Sequence, residues 1–201
     1  MVTRILHTMK PFTFHKQEDN LNNFIFESTI TDKNVCNYLI DQYHMMEHHQ
    51  GRVSRDDTEN FVNTNMKVAE QSFVEPDHAS YQTIYECIDK TISVLPYRLT
   101  IPYDISSTEY SISRYPKGKG HFGTHVDTLS KVTYNRLLAF ILYLNDVEEG
   151  GETEFMTLNR LVKPETGKVL CFPCNFMFPH KGNIPISNDK YIVTAFVYPQ
   201  W

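Results

Sequence analysis

The chain has 201 residues and a mass of 23.5 kDa, enough for a substantial core and expected to form one domain. Its 41% hydrophobic and 21% charged residues are those of an ordinary globular protein and exclude a disordered, low-complexity chain. The formal net charge of -5 argues against a broad phosphate-binding surface, and the longest apolar run, residues 137–144, is far too short to cross a bilayer.

The N-terminal segment lacks the apolar stretch of a signal peptide, so a cytoplasmic protein with reduced cysteines is expected. The first twenty residues are polar and mixed, and read as a surface strand or arm. Residues 23–30 (NFIFESTI) read as a strand. Thr31 and Asp32 are suitable N-caps for a helix over about 33–48, whose apolar stripe is Val35, Tyr38, Leu39, Tyr43 and Met46; Gly51 is its stop. His44 and His48 share a face of that helix, but no carboxylate or third histidine joins them, so they read as a solvated polar face. Residues 51–79 have no clear period and are expected to be a loop or irregular hairpin bordering the site. A second helix follows, with the stripe Tyr81, Ile84, Tyr85, Ile88, Ile92 and Leu95, capped by Asp77 or Ser80 and ended at Pro96.

Beyond residue 109 the pattern changes to short strands: 110–115, 122–127, 137–144, 168–172, about 176–180 and 191–198. Turns are expected at 116–120 and 148–152, and a loop at 128–136. The run LLAFILYL at 137–144 reads as a central strand buried on both faces. Helices followed by many strands define an α+β fold, with the helices buttressing one sheet of a half-open, two-sheet jelly roll that holds a site at its mouth. Cys171 and Cys174 have the spacing of half a zinc site, but Cys36 and Cys87 stand alone on the helices, so all four read as structural.

The stretch His121-Phe122-Gly123-Thr124-His125-Val126-Asp127 carries the chemistry. On an extended strand His125 and Asp127 point to one face. With His180, after Pro179, they make a set of two histidines and one carboxylate, the mark of a non-haem Fe(II) oxygenase with open metal positions. One carboxylate leaves such a site positive and suited to a chelating dianion. Lys190 opens the last apolar strand, where a buried lysine needs an anion, and the tail carboxylate of a bound diacid satisfies it. Tyr115 and Thr194 have hydroxyls to offer the same group, and Thr194 shares the strand face of Lys190. His121, four residues before His125, is a rival ligand, read here as a neighbour of the site.

The segments RYPKGKGHFGTHVD, RLLAFILYLNDVEEGGETEF, GKVLCF and PHKGNIPISNDKYIVTAFVY, spanning about residues 110–198, resemble the prolyl 4-hydroxylase-like family of Fe(II)/2-oxoglutarate dioxygenases. The resemblance implies a double-stranded β-helix core over about 110–201, with residues 1–109 as helical support. It implies iron bound by His125, Asp127 and His180, and 2-oxoglutarate held by Lys190 and Tyr115. Arg136 matches an arginine near the substrate of peptide-hydroxylating members, and residues 148–153 match a shaping turn with no part in the chemistry. The implied reaction uses O2 and 2-oxoglutarate, releases succinate and carbon dioxide, and hydroxylates an unactivated C–H bond, with L-ascorbate as an accessory reductant. The expected substrate is a proline-containing protein or peptide. Phe196 stands where peptide hydroxylases often have Trp, which keeps open a small molecule, a free amino acid or, against the acidic balance, a nucleic acid. A non-catalytic module that has kept the fold is the remaining alternative. No membrane partner is expected, and the sequence does not fix the oligomeric state.

Overall fold

The computed structural model describes residues 21–55, 59–96, 103–104, 110–131 and 133–200. The arm expected over the first twenty residues lies outside them. The first half of the chain forms β1 (Phe26–Thr29), α1 (Lys33–Met45), β2 (His49–Gln50), β3 (Arg52–Arg55), β4 (Glu59–Val62), β5 (Lys67–Val68), β6 (Glu70–Val74) and α2 (Ala79–Ser93). The second half forms β7 (Tyr103–Asp104), β8 (Tyr110–Tyr115), β9 (His121–His125), β10 (Leu138–Tyr143), β11 (Thr153–Phe155), β12 (Arg160–Val162), β13 (Lys168–Pro173), β14 (His180–Gly182) and β15 (Lys190–Pro199).

Both helices bury the apolar stripes their sequences show, and α1 is capped as expected. Asp32 accepts hydrogen bonds from the amides of Asn34 (2.8 Å) and Val35 (3.1 Å), and α1 buries Cys36, Leu39 and Tyr43. α2 starts on neither Asp77 nor Ser80: the His78 Nδ1 accepts from the Ser80 amide at 3.1 Å. Its buried face is Ile84, Cys87, Ile88 and Thr91. α1 ends at Met45, so His48 lies beyond it and shares no helix face with His44. Instead the His48 ring stacks on Tyr43 at 4.3 Å, with its Nδ1 2.8 Å from the Ser72 hydroxyl.

The larger sheet runs β1-β13-β10-β15-β8-β6-β2, with β7 paired to β15; the smaller runs β12-β11-β14-β9-β5. β10 lies between β13 and β15, antiparallel to both, and all six of its residues are buried. Its alternate side chains enter two different cores. Leu138, Phe140 and Leu142 meet α1 and α2, while Ala139, Ile141 and Tyr143 face Phe155 and Val162 of the smaller sheet. Double coverage accounts for the continuous apolar run. Each fully buried Leu, Ile or Phe here contributes roughly 1.5–3 kcal/mol. The result is an α+β double-stranded β-helix, or jelly roll, with helices against one sheet.

Several expectations are corrected. Residues 51–79 contain four strands, and β5 and β6 enter the smaller and larger sheets respectively, so the first half of the chain supplies sheet edges as well as helices. Residues 176–179 are not a strand. The Asn175 side chain accepts from the Met177 amide (3.0 Å) and its carbonyl from the Phe178 amide (3.1 Å), a turn that delays β14 until His180. Cys171 faces the helix-side core and Cys174 the inter-sheet core, so the two thiols do not face one ion. Burial pushes the Cys171 thiol up to about 12.

Candidate active site

The smaller sheet lines the mouth of the jelly roll. β9 and β14 pair through His125–His180 and Phe122–Gly182, so that Lys181 on β14 opposes both Gly123 and Thr124 on β9. This bulge places Phe122 and His125 on the same side, where their rings stack at 3.7 Å. Gly123 suits the bulge, since a Cβ there would sit tightly against the Met66 side chain and carbonyl at 3.3 Å. β9 ends at His125, so Asp127 occupies the bend beyond it rather than the same strand face. The bend still turns its carboxylate back: Oδ1 lies 3.6 Å from His125 Nε2 and Oδ2 lies 3.9 Å from His180 Nε2. One ligand atom from each of the three residues falls within 4.8 Å of the others.

The local hydrogen bonds set both imidazoles for coordination. His125 Nδ1 donates to the Gly123 carbonyl (2.8 Å) and His180 Nδ1 to the Phe178 carbonyl (3.1 Å). A carbonyl only accepts, so each neutral ring carries its lone pair on Nε2, the atom that faces Asp127. Burial lowers His180 to about 4, which keeps it neutral; Asp127 opposes that shift. Burial alone would raise the Asp127 carboxyl; His180 and His125 in their protonated forms, with the Arg136 guanidinium, hold the group below its usual range. Asp127 Oδ2 is buried with no hydrogen-bond partner. Two imidazole lone pairs and an orphaned carboxylate oxygen fit a divalent first-row metal, Fe(II) among them. Phe155 and Phe172 flank the His180 ring at 5.6 and 4.7 Å and exclude water from that side.

The other predicted residues surround this cluster. Lys190, 2% exposed, donates to the Gly151 carbonyl at 2.8 Å and lies 4.7 Å above the Tyr115 ring, its register partner on β8. Burial lowers its amine to about 8, with Glu152 opposing. The YLNDVEEGGET stretch fixes this end of β15. Asn145 Oδ1 accepts from the Tyr191 amide (2.8 Å), its Nδ2 donates to the Asp189 carbonyl (2.9 Å), and Gly151 supplies the carbonyl that Lys190 uses. Arg114 bridges Asp189 (2.7 Å) and Glu70 (2.8 Å), tying β6, β8 and the start of β15 together. Tyr115 is buried beside the cluster. Thr194 shares the face of Lys190 by strand alternation. Neither hydroxyl has a hydrogen-bond partner among the described residues. The Arg136 guanidinium stacks 3.6 Å over Phe196 and donates to the Asp127 carbonyl (3.4 Å), so it is no surface ion pair. His121 points away, with Nδ1 2.9 Å from the Lys119 carbonyl.

One residue of the site is not evident from the sequence. Lys67, 6% exposed, pairs with Phe122 across β5–β9 and carries its amine 4.7 Å above that ring. Its segment is short and polar, and no hydrophobic period marks it; only the pairing with β9 brings it inward.

Two histidines, a carboxylate and a buried lysine at the mouth of a jelly roll are groups that a non-haem metal oxygenase with a chelating acid could use. Residues 110–198 match the model of the 2OG-Fe(II) oxygenase superfamily. Several solved structures share the fold. A viral collagen prolyl hydroxylase from Paramecium Bursaria Chlorella virus-1, in complex with 2OG, is 18% identical with a TM-score of 0.66, covering 88% of this chain and 97% of its own. A Pseudomonas putida prolyl-4-hydroxylase is 15% identical with a TM-score of 0.68, covering 90% and 97%. A Trichoplax adhaerens prolyl hydroxylase, in complex with a hypoxia inducible factor oxygen degradation domain peptide fragment, is 16% identical with a TM-score of 0.72, covering 90% and 87%. No curated protein sequence matches the chain.

Proposed function

We propose that the protein is an Fe(II)- and 2-oxoglutarate-dependent dioxygenase that hydroxylates a prolyl residue of a protein or peptide. The observation that carries the reading is the convergence of His125, Asp127 and His180 within 4.8 Å, with buried Lys190 on the strand beside them. His125 and His180 offer Nε2 to the iron, and Asp127 offers its orphaned oxygen. Lys190 receives the far carboxylate of 2-oxoglutarate, and the Tyr115 and Thr194 hydroxyls donate to the same group. When bound, iron and 2-oxoglutarate would direct the oxidising power of O2, one oxygen atom entering succinate as the acid loses carbon dioxide and the other entering a substrate C–H bond as hydroxyl. Arg136, braced on Phe196, lines the substrate side.

The peptide part of the reading rests on the rim and on the fold's relatives. Tyr134 (73% exposed) and Phe176 (79% exposed) stand on the loops next to Asp127 and His180, where a proline-rich segment in polyproline II form finds aromatic surface. The test is succinate formation with Fe(II), 2-oxoglutarate and proline-containing peptides, together with the peptide mass. Peptide-stimulated succinate and a peptide one oxygen atom heavier are expected. Turnover that no proline peptide stimulates removes the peptide assignment, and an Asp127→Ala protein that still turns over removes the metal set.

A further inference from the structure

The site holds more positive charge than 2-oxoglutarate can use. Lys190 accounts for the tail carboxylate. A Cβ built on Gly182 would lie 3.7 Å from the Lys190 amine and 3.7 Å from the Phe122 Cβ, so Lys190 approaches β9 from the β14 side. Lys67 comes to Phe122 from the opposite side, on β5. Across the smaller sheet the register order is Gly182, Phe122, Lys67, with the Lys67 amine over the Phe122 ring and the Lys190 amine over the Tyr115 ring.

Lys67 is built in. Its stem runs against Gly51, where a Cβ would meet Lys67 Cε at 3.1 Å, Cδ at 3.2 Å and the Ala69 carbonyl at 3.1 Å. Its amine lies over the face of Phe122, makes no hydrogen bond or ion pair among the described residues, and keeps a small contact with solvent through which an anion can reach it. Asp127 does not serve as its partner, since that carboxylate turns its two oxygens to the two histidines. A buried ammonium without an anion is costly. The Phe122 ring under this amine stacks on His125 at 3.7 Å, which places Lys67 beside the candidate metal cluster; burial lowers the amine to about 8, Asp127 draws it up and Arg136 pushes it down.

We propose that Lys67 is a specificity-determining residue that receives a carboxylate of the primary substrate next to the carbon that is hydroxylated, so that the site selects acidic substrates. The proposal rests on the oxygenase reading above and deepens it. The carboxylate has two possible sources: an acidic side chain flanking the target residue of a peptide, or the α-carboxylate of a free amino acid.

The test is calorimetric titration of the protein loaded with Mn(II) and 2-oxoglutarate without oxygen. The probes are two pairs: a short proline peptide with flanking glutamates against its glutamine counterpart, and free L-proline against L-prolinamide. In at least one pair the acidic member is expected to bind about tenfold or more tightly than the neutral one. In Lys67→Met the preference falls to within about twofold, and in Lys67→Arg it returns in part. The affinity of each variant for 2-oxoglutarate, measured the same way, reports that the fold and the neighbouring anion site persist, and is expected to stay within about threefold of the parent. Three outcomes overturn the proposal: no acidic preference in either pair, a preference that survives in Lys67→Met, or a Lys67→Met protein that loses 2-oxoglutarate instead. Failure of the prolyl-peptide reading looks different, as an absence of peptide hydroxylation while the free amino-acid pair still shows the preference.

Discussion

A buried amine resists its charge, and Lys190 has been lowered from 10.5 to about 8 by burial. Below that pH the ammonium is present and ready for a carboxylate. Above it the amine is neutral, and binding a dianion must first draw a proton from solution. The affinity for 2-oxoglutarate is therefore expected to weaken roughly tenfold per pH unit above about pH 8. Calorimetry in buffers of different ionisation enthalpy reads the proton uptake directly, and Lys190→Met should take up one proton fewer and bind on the order of a hundredfold more weakly. Asp127 makes the opposite kind of test. Its Oδ2 is buried without a partner, so Asp127→Ala removes a desolvated group that the ligand-free fold does not use. Metal affinity should fall by about a hundredfold or more while the melting temperature stays within a few degrees. A variant that still binds metal would take Asp127 out of the donor set. His125, Asp127 and His180 stand out in sequence by residue type and spacing, and Lys190 by its place at the head of a long apolar strand. Lys67 does not, because an exposed and a buried lysine read alike until β5 is paired with β9.

Backbone devices place these groups, and some of them are hidden in sequence for physical reasons. The β9 bulge depends on pairing with β14, a register that no local pattern encodes. The turn at Asn175 defeats the strand propensity of Phe176, Met177 and Phe178 through a side-chain hydrogen bond. By contrast the two helices, β8, β10 and β15 are legible, because each buries a continuous face against the core. The turn before β11 shows how tightly the site is framed. Gly150 has φ +74, and a Cβ there would run into the Ile184 carbonyl. Its neighbour Gly151 provides the carbonyl bound by Lys190. Gly150→Ala combines a disfavoured backbone conformation with a backbone clash, so a loss of about 2–4 kcal/mol is expected by denaturant unfolding. The strain also falls on the Lys190 anchor, so 2-oxoglutarate affinity should fall with it. A variant as stable as the parent would show that the turn relaxes freely.

At the scale of the molecule, the recognisable sequence pattern and the folding unit do not coincide. The family match begins at residue 110, yet the strands it covers are closed by strands that precede it. β6 pairs with β8 over five residues, β1 covers the edge of β13 over four, and β5 borders β9 and brings in Lys67. β5 and β6 are short and largely polar, since pairing asks only for backbone, which is why sequence reasoning took residues 51–79 for a loop or irregular hairpin, although it did read β1 as a strand. The helix-side core draws Leu39, Tyr43, Val74, Ile84 and Ile88 from the same half. At roughly 1.5–3 kcal/mol each, these burials together rival the 5–15 kcal/mol by which a whole domain is typically stable. A fragment starting at residue 110 is therefore expected to lack a cooperative thermal transition and to associate through the bared edges of β8 and β13, as read by circular dichroism and size-exclusion chromatography. It should also bind no metal, although it contains His125, Asp127 and His180, because β9 would lose its β5 border and the larger sheet its helical backing. A monomeric fragment that melts cooperatively and binds metal would instead make residues 21–96 an accessory to the site rather than part of its frame.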